Sequence, residues 1–357
     1  MTKLFITGAT GYIGGDALYA IASAHPDYGI TALVRNTDKG AKVAAQFAAV
    51  RLVYGHLDST ALIEEESRAA DIVCHFAHAD HEASAKAIIK GLSSRDTPGF
   101  LIHTSGTGIL TFEDLRENTF GTTTRTKIYN DLQNVSEVTS LPDDAPHRNV
   151  DKIILQAAKD FPQKVKTAIV CPPTIYGPGR GPDNQTSIQL PGLCRMSLKK
   201  GIAVKIEKGK TIWNHVHIHD LSALYLHLVQ EAAAGGSTKE WPEKPATWGE
   251  QGYYFCENGE HIWGDVSLWI AEEGVRQKLW ETDRAKGISP EEAQEMQSGA
   301  KVLWGTNSRG EAKRAKVLFG WEAKGVGLKE TVAEVLKEEA RKMGLAQSHA
   351  VIAAGDA

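Results

Sequence analysis

Cysteine is scarce and scattered: positions 74, 171, 194 and 256 of 357 residues, with no C-x-x-C pair. That excludes a disulfide scaffold and reads as free buried thiols in a reducing compartment. A surplus of one charge is missing too. With 40 basic and 44 acidic residues the net charge is -4, which gives no electrostatic case for nucleic acid or an anionic membrane. No apolar run approaches the roughly 20 residues that span a bilayer. An apolar strand begins at Leu4 and leaves no room for a leader, so the expectation is a cytoplasmic protein. There is no internal repeat. What remains, 42% hydrophobic and 24% charged residues, is the mix of an ordinary globular chain.

What is present begins at once. Leu4-Phe5-Ile6 runs into Thr7-Gly8 and a turn carrying Gly8, Gly11 and Gly14, which is expected to open a helix near Tyr12 whose run covers 16–24. Gly8 permits the tight turn, Gly11 lets main-chain N–H groups approach a pyrophosphate, and Gly14 lets the helix pack on the sheet. An anion at that helix N-terminus meets unpaired amides and the positive end of the dipole. Gly8, Thr10, Gly11, Tyr12 and Ile13 are the cofactor-binding candidates of this turn. A second strand over 29–35 ends at Arg35, where an acid would bind the ribose 2′-OH of NAD. A guanidinium there suits a 2′-phosphate, so NADP(H) is expected, with NAD(H) the second choice because Asp38 is nearby.

Further strands are expected over 50–58, 71–77, 100–106 and 165–171. Leu57 and Asp58 end the first of these; Asp58 reads either as an adenine contact or as the cap of a helix near Thr60. Ala77 and His78 follow the second at the carboxyl edge, where such sheets bind ligands. His75, His78 and His81 are not held together by any spacing, and no metal is expected. Thr104 and Ser105 end the third. Strand–helix alternation with short loops predicts a Rossmann-type, doubly wound parallel sheet.

Four stretches then resemble the extended short-chain dehydrogenase/reductases, the group of nucleotide-sugar epimerases and dihydroflavonol-type reductases. They are GATGYIG; HTSGTG, where Ser105 matches the catalytic serine; CPPTIYGPG over 171–179; and WNHVHIHDL over 213–221. A tail, KVLFGW over 316–321, is similar as well. The resemblance implies cofactor contacts at Thr104, Pro172, Thr174 and Ile175, and a smaller C-terminal α/β substrate-binding cap. It also implies Tyr-x-x-x-Lys one helix after the serine, in which lysine holds the nicotinamide ribose and tyrosine moves the substrate proton. That tyrosine is absent. If Lys152 is the lysine, Arg148 stands for the tyrosine and cannot act as an acid. In the alternative register His147 replaces tyrosine and Asp151 replaces lysine. Lys152 is therefore a candidate on the ribose, and His147, Tyr129 and Tyr176 are candidate proton donors beside Ser105.

The glycine- and proline-rich stretch 177–187 reads as a loop reaching over a cofactor, with Arg180 a solvated loop residue or an anion ligand. His215, His217 and His219 alternate on one face of an expected strand, and Asp220 is expected to cap the helix after it. A helix over 261–281 carries Trp263, Trp269 and Trp280; a charged, solvated helix follows over 290–297 and an amphipathic one over 328–343. The expected division is a dinucleotide-binding core, 1–180 with 213–232 returning to it, a substrate part over 181–345 and a tail from 346. The expected function is an NADP(H)-dependent oxidoreductase exchanging hydride with a carbonyl or alcohol of a small organic substrate. The alternatives are a non-catalytic NADP(H)-binding redox sensor and a nucleotide-sugar epimerase or dehydratase. A homodimer is compatible with the chain; a nucleic-acid or membrane partner is not expected.

Overall fold

Alternate residues of the opening strand face two different cores. Leu4 and Ile6 belong to one buried cluster and Phe5 to the other, as a strand covered on both sides requires. The same split recurs at Ile72 and Cys74 against Val73, and at Phe100 and Ile102 against Leu101. The structure, a computed structural model, describes residues 1–123, 127–236 and 245–345. The expected tail from 346 lies outside the described residues, as do residues 124–126 and 237–244.

Seven parallel strands form the central sheet: β1 (Lys3–Thr7), β2 (Gly29–Val34), β3 (Arg51–Tyr54), β4 (Ile72–His75), β5 (Gly99–Thr104), β6 (Val165–Cys171) and β7 (Tyr253–Phe255). Their spatial order is 7-6-5-4-1-2-3. Successive strands up to β6 are joined through α1 (Tyr12–Ala24), α2 (Thr37–Gln46), α3 (Thr60–Ala69), α4 (Glu82–Ser93) and α5 (Arg148–Asp160). The order reverses between β1 and β4, and ligands of such sheets bind outside the strand ends at that point. Helix α1 and the helix Ile218–Ala233 cover one face through Leu18, Ile21, Leu224 and Leu228. Helices α3, α4 and α5 cover the other through Ile63, Ile88 and Ile154. A third core, around Trp213, Trp263, Trp304 and Leu336, builds the smaller C-terminal part with its short sheets.

Helix α1 opens at Tyr12, as expected, with Gly11 as its N-cap directly after the turn. Several other local expectations are corrected. Strand β7 lies outside the expected core ranges 1–180 and 213–232 yet pairs in parallel with β6. His219 is not in the strand: Ile212–His217 ends at His217, whose ring Nδ1 accepts from the His219 N–H at 3.2 Å and caps the helix. Asp220 is therefore no cap; its carboxylate accepts from the Lys324 and Gly325 amides, each at 2.9 Å. The helix expected over 261–281 divides into the strand Glu260–Ile262 and the helix Trp263–Arg276, after which Trp280 folds back onto the Ala271 carbonyl at 3.0 Å. Trp263 and Trp280 are both buried in the third core. All four cysteines are buried, and burial raises each thiol pKa. Among the described residues no helix is long and apolar enough to cross a membrane.

One buried carboxylate ties the C-terminal part to the sheet edge. Asp131 accepts from the Phe255 amide at 2.9 Å and from the Lys313 and Arg314 amides at 2.8 and 2.9 Å. Arg314 in turn donates to the Asp131 carbonyl at 2.9 Å and to the Ala246 carbonyl at 2.7 Å. Replacing Asp131 by alanine strands three main-chain donors at once. Urea denaturation of Asp131→Ala is expected to show a loss of about 3 kcal/mol or more; a loss below about 1 kcal/mol contradicts this account.

Candidate active site

The site forms where β1 and β4 part. Gly8 has φ +81°, a conformation that favours glycine, and a Cβ there would lie 2.8 Å from the Ala77 nitrogen at the end of β4. A Cβ on Gly14 would lie 2.4 Å from the Gly8 carbonyl oxygen. The turn is thus bare backbone against bare backbone. Gly11 caps α1 without a side-chain hydrogen bond, leaving the helix's first amides to whatever enters. In front lies a cleft of about 380 Å³ lined by Gly8, Thr10, Gly11, Arg35, Leu57, Ala77 and His78 among others. Glycines that a Cβ would block, open amides and an exposed guanidinium at the end of β2 fit a nucleotide diphosphate.

The other proposed cofactor contacts stand elsewhere. The Tyr12 hydroxyl donates to the Gly177 carbonyl, and Ile13 packs on the core. Asp58 is exposed and meets His81 Nε2 at 3.1 Å; Ser59 takes the N-cap position, so the capping role read for Asp58 is not found. The Thr104 hydroxyl is 2.6 Å from the Tyr225 hydroxyl inside the core. Pro172 and Thr174 are buried, and Ile175 packs against the core; the Pro172 carbonyl accepts from the Thr107 amide at 3.0 Å.

The cleft's lid was legible only in outline. Asp183 and Asn184 line it: Asp183 pairs with Lys39 and Lys42 of α2, and the Asn184 amide donates to the Thr10 carbonyl at 3.2 Å. Arg180 is not a free loop residue: the anionic group it binds is a carboxylate of the chain itself. It clamps Asp16 of α1 through its own amide at 2.7 Å and its guanidinium at 2.7 and 3.1 Å. Asp16 is fully buried, and these bonds outweigh burial and keep its carboxyl pKa low. No local signal could have paired residues 164 positions apart.

Beyond β5 lies the chemistry. Ser105 is buried, and its Oγ has no partner of good hydrogen-bond geometry. The helix α5 decides which residues reach it. Asp151 lies on the buried face of the helix, while Lys152, a further 100° round, is exposed and pairs with Asp143 at 2.7 Å; His147 stands just before the helix. The ribose role read for Lys152 is therefore corrected: it lies in an outer groove with Lys86 and Lys90. Arg148 is buried with its Nε on the Leu141 carbonyl at 2.8 Å. Tyr129 is buried under the Lys127 ammonium, 4.5 Å from its ring centroid, and Tyr176 donates to the Val326 carbonyl at 2.7 Å. Neither hydroxyl stands open as a proton donor.

His147 precedes α5 with φ +64° and holds Nδ1 on the Asp80 carboxylate at 2.7 Å; that contact lowers the Asp80 pKa. Its Nε2 faces the loop after β5: a Cβ on Gly108 would come within 3.0 Å of it, and one on Gly106 within 3.3 Å. Asp151 is fully buried beside Ser105, with one oxygen accepting from the Tyr253 hydroxyl at 2.9 Å. Tyr253 comes from β7 and was missed, being 102 residues away from Asp151. Cys171 donates to the same tyrosine hydroxyl at 3.0 Å. Burial pushes the Asp151 carboxyl up to about 6, against the pull of Tyr253, Ser105, His147 and Arg148. In β4 and β5, the His75 and His103 rings lie 5.2 Å apart at a tilt of 39°, and burial lowers the pKa of both.

Residues 8–138 match a protein family described as NAD(P)H-binding. The oxidase ucsJ of an Acremonium species is 38% identical over 345 residues, covering 96% of this chain and 99% of that protein. The dTDP-glucose 4,6-dehydratase of Bacillus anthracis, solved in complex with NAD, superposes with a TM-score of 0.64 at 13% identity, covering 97% of this chain and 99% of that one. The UDP-glucose 4-epimerase of Thermotoga maritima, solved with UDP-glucose, gives 0.60 at 14% identity, covering 96% and 99%. With this fold, that NAD(P)H-binding match and a relative aligned over nearly its full length, the chain belongs to the extended short-chain dehydrogenase/reductase superfamily.

Proposed function

We propose that the protein is an NADP(H)-dependent oxidoreductase that interconverts an alcohol and a carbonyl on a small organic substrate. The observation that carries the reading is the juxtaposition of a bare-backbone nucleotide cleft with the unpartnered Ser105 hydroxyl at the end of the neighbouring strands. The name of the 38% identical relative, an oxidase, supports the same class of chemistry. A bound nicotinamide dinucleotide supplies a hydride acceptor or donor. Gly8, Thr10 and Gly11 hold its diphosphate, and Arg35 selects the 2′-phosphate by a charge-assisted contact. Ser105 binds the substrate oxygen. The proton is handled by His147, just before α5, and the buried Asp151, in place of the absent tyrosine.

That same replacement favours a second reading, a dinucleotide-binding redox sensor without turnover. The two separate cleanly. Purified protein is mixed with NADPH and a panel of aldehydes and ketones, or NADP+ and alcohols, while nicotinamide absorbance is followed. Turnover is expected with at least one substrate; tight binding without turnover across a broad panel favours the sensor.

Two substitutions refine the assignment. Arg35→Asp is expected to weaken NADP(H) relative to NAD(H) by about tenfold or more in calorimetric titrations, as a lost charge-assisted pair predicts. An unchanged ratio removes Arg35 from the cofactor. Ser105→Ala is expected to lower kcat about a hundredfold with dinucleotide affinity intact, the usual cost of an oriented donor.

A further inference from the structure

We propose that Asp151 takes up the substrate's hydroxyl proton through Ser105, and that its protonation decides whether Ser105 donates to or accepts from the substrate oxygen. This rests on the oxidoreductase reading above and names the proton path within it.

Among the buried polar atoms of the site that lack a partner of good geometry are Ser105 Oγ and Asp151 Oδ1. Main-chain and side-chain bonds bring the two residues together: the Ser105 amide donates to the Val170 carbonyl at 2.9 Å, next to Cys171, whose thiol reaches Tyr253 and through it Asp151; the serine hydroxyl favours the ionised carboxyl. The other carboxyl oxygen is already committed, because the Tyr253 hydroxyl donates to Oδ2 at 2.9 Å. Tyr253 is itself fixed by the Cys171 thiol at 3.0 Å. Oδ1 is thus the carboxyl atom without a hydrogen bond, and Ser105 directly follows the end of β5.

Hydrogen-bond direction does the rest. A carboxylate only accepts, so ionised Asp151 draws the Ser105 O–H inward and leaves a serine lone pair for a substrate O–H. A protonated Asp151 donates to Ser105 Oγ instead, which frees the serine O–H to donate to a carbonyl oxygen. One form suits an alcohol and the other a ketone or aldehyde. In oxidation the substrate O–H bond breaks as its proton moves to Ser105 Oγ, while the Ser105 proton moves to Asp151 Oδ1. The carbinol C–H electron pair leaves as hydride to the oxidised nicotinamide dinucleotide. Carbonyl, reduced dinucleotide and protonated Asp151 remain; reduction is the reverse.

The titratable groups around Asp151 are Tyr253 of β7, Cys171 of β6, and His147 and Arg148 at the start of α5. Burial keeps the tyrosine and thiol protonated, and a positive charge on His147 or Arg148 favours the carboxylate. Asp151 is a positioning and proton-holding residue, since Ser105 alone touches the substrate.

Difference infrared titration of the substrate-free protein reads the carboxyl directly. A protonated-carboxyl band is expected to vanish with a midpoint near pH 6, and to be missing in Asp151→Asn. In turnover with NADP+ and secondary alcohols, the wild-type rate rises through that midpoint. Asp151→Asn is expected to lose at least about a hundredfold in kcat together with the pH dependence, as for removal of a general base. Tyr253→Phe removes a bond that favours the carboxylate, so its midpoint is expected to move up by about one pH unit. A wild type that binds dinucleotide but turns over nothing sinks the oxidoreductase reading. No Asp151-dependent infrared band between pH 4 and 8, or a pH profile lost in His147→Asn but kept in Asp151→Asn, overturns the proton path alone.

Discussion

Everything in the upper half of the molecule depends on how closely two stretches of main chain approach. The ends of β1 and β4 meet with Gly8 against Ala77, and Gly14 brings α1 down onto the Gly8 carbonyl. No side chain fits between them. A methyl group at either glycine would push the strand ends or the helix apart, and the open amides of α1 would no longer face the cleft. Ser105 directly follows β5, which lies beside β4. Two strand spacings of about 4.8 Å each therefore separate the ends of β1 and β5, and under the proposed function they set the distance between the cleft and the Ser105 hydroxyl.

A second constraint works through α5. A helix presents one residue in about every four to a given neighbour, so a shift of one residue exchanges the whole functional face. In this chain the buried position carries Asp151 and the exposed one Lys152, with His147 just before the helix. Its imidazole rests on the Asp80 carboxylate, and the buried Asp151 carboxyl accepts from the Tyr253 phenol.

The sequence made the sheet readable because buried parallel strands are continuous apolar runs, and each expected run of the dinucleotide half became a strand. The glycine turn was readable for the same reason, since its requirement is local. Interactions between distant positions were not. Arg180 looked solvated because Asp16 lies 164 residues away, and Tyr253 looked like mere core because nothing near it names Asp151. The face of α5 was ambiguous because both registers put one plausible residue inward, and only packing against β6 and β7 decides between them. His219 and Asp220 were misplaced by a cap that histidine, an unusual capping residue, provides at His217.

The buried thiols have a practical corollary. Thiolate is the reactive form, and all four sulfurs are shut away and held protonated. Towards alkylating reagents the folded chain behaves as though it carried no cysteine. A single cysteine introduced at the protein surface would therefore be the sole attachment point for a fluorophore or spin label, and the native sulfurs could stay in place.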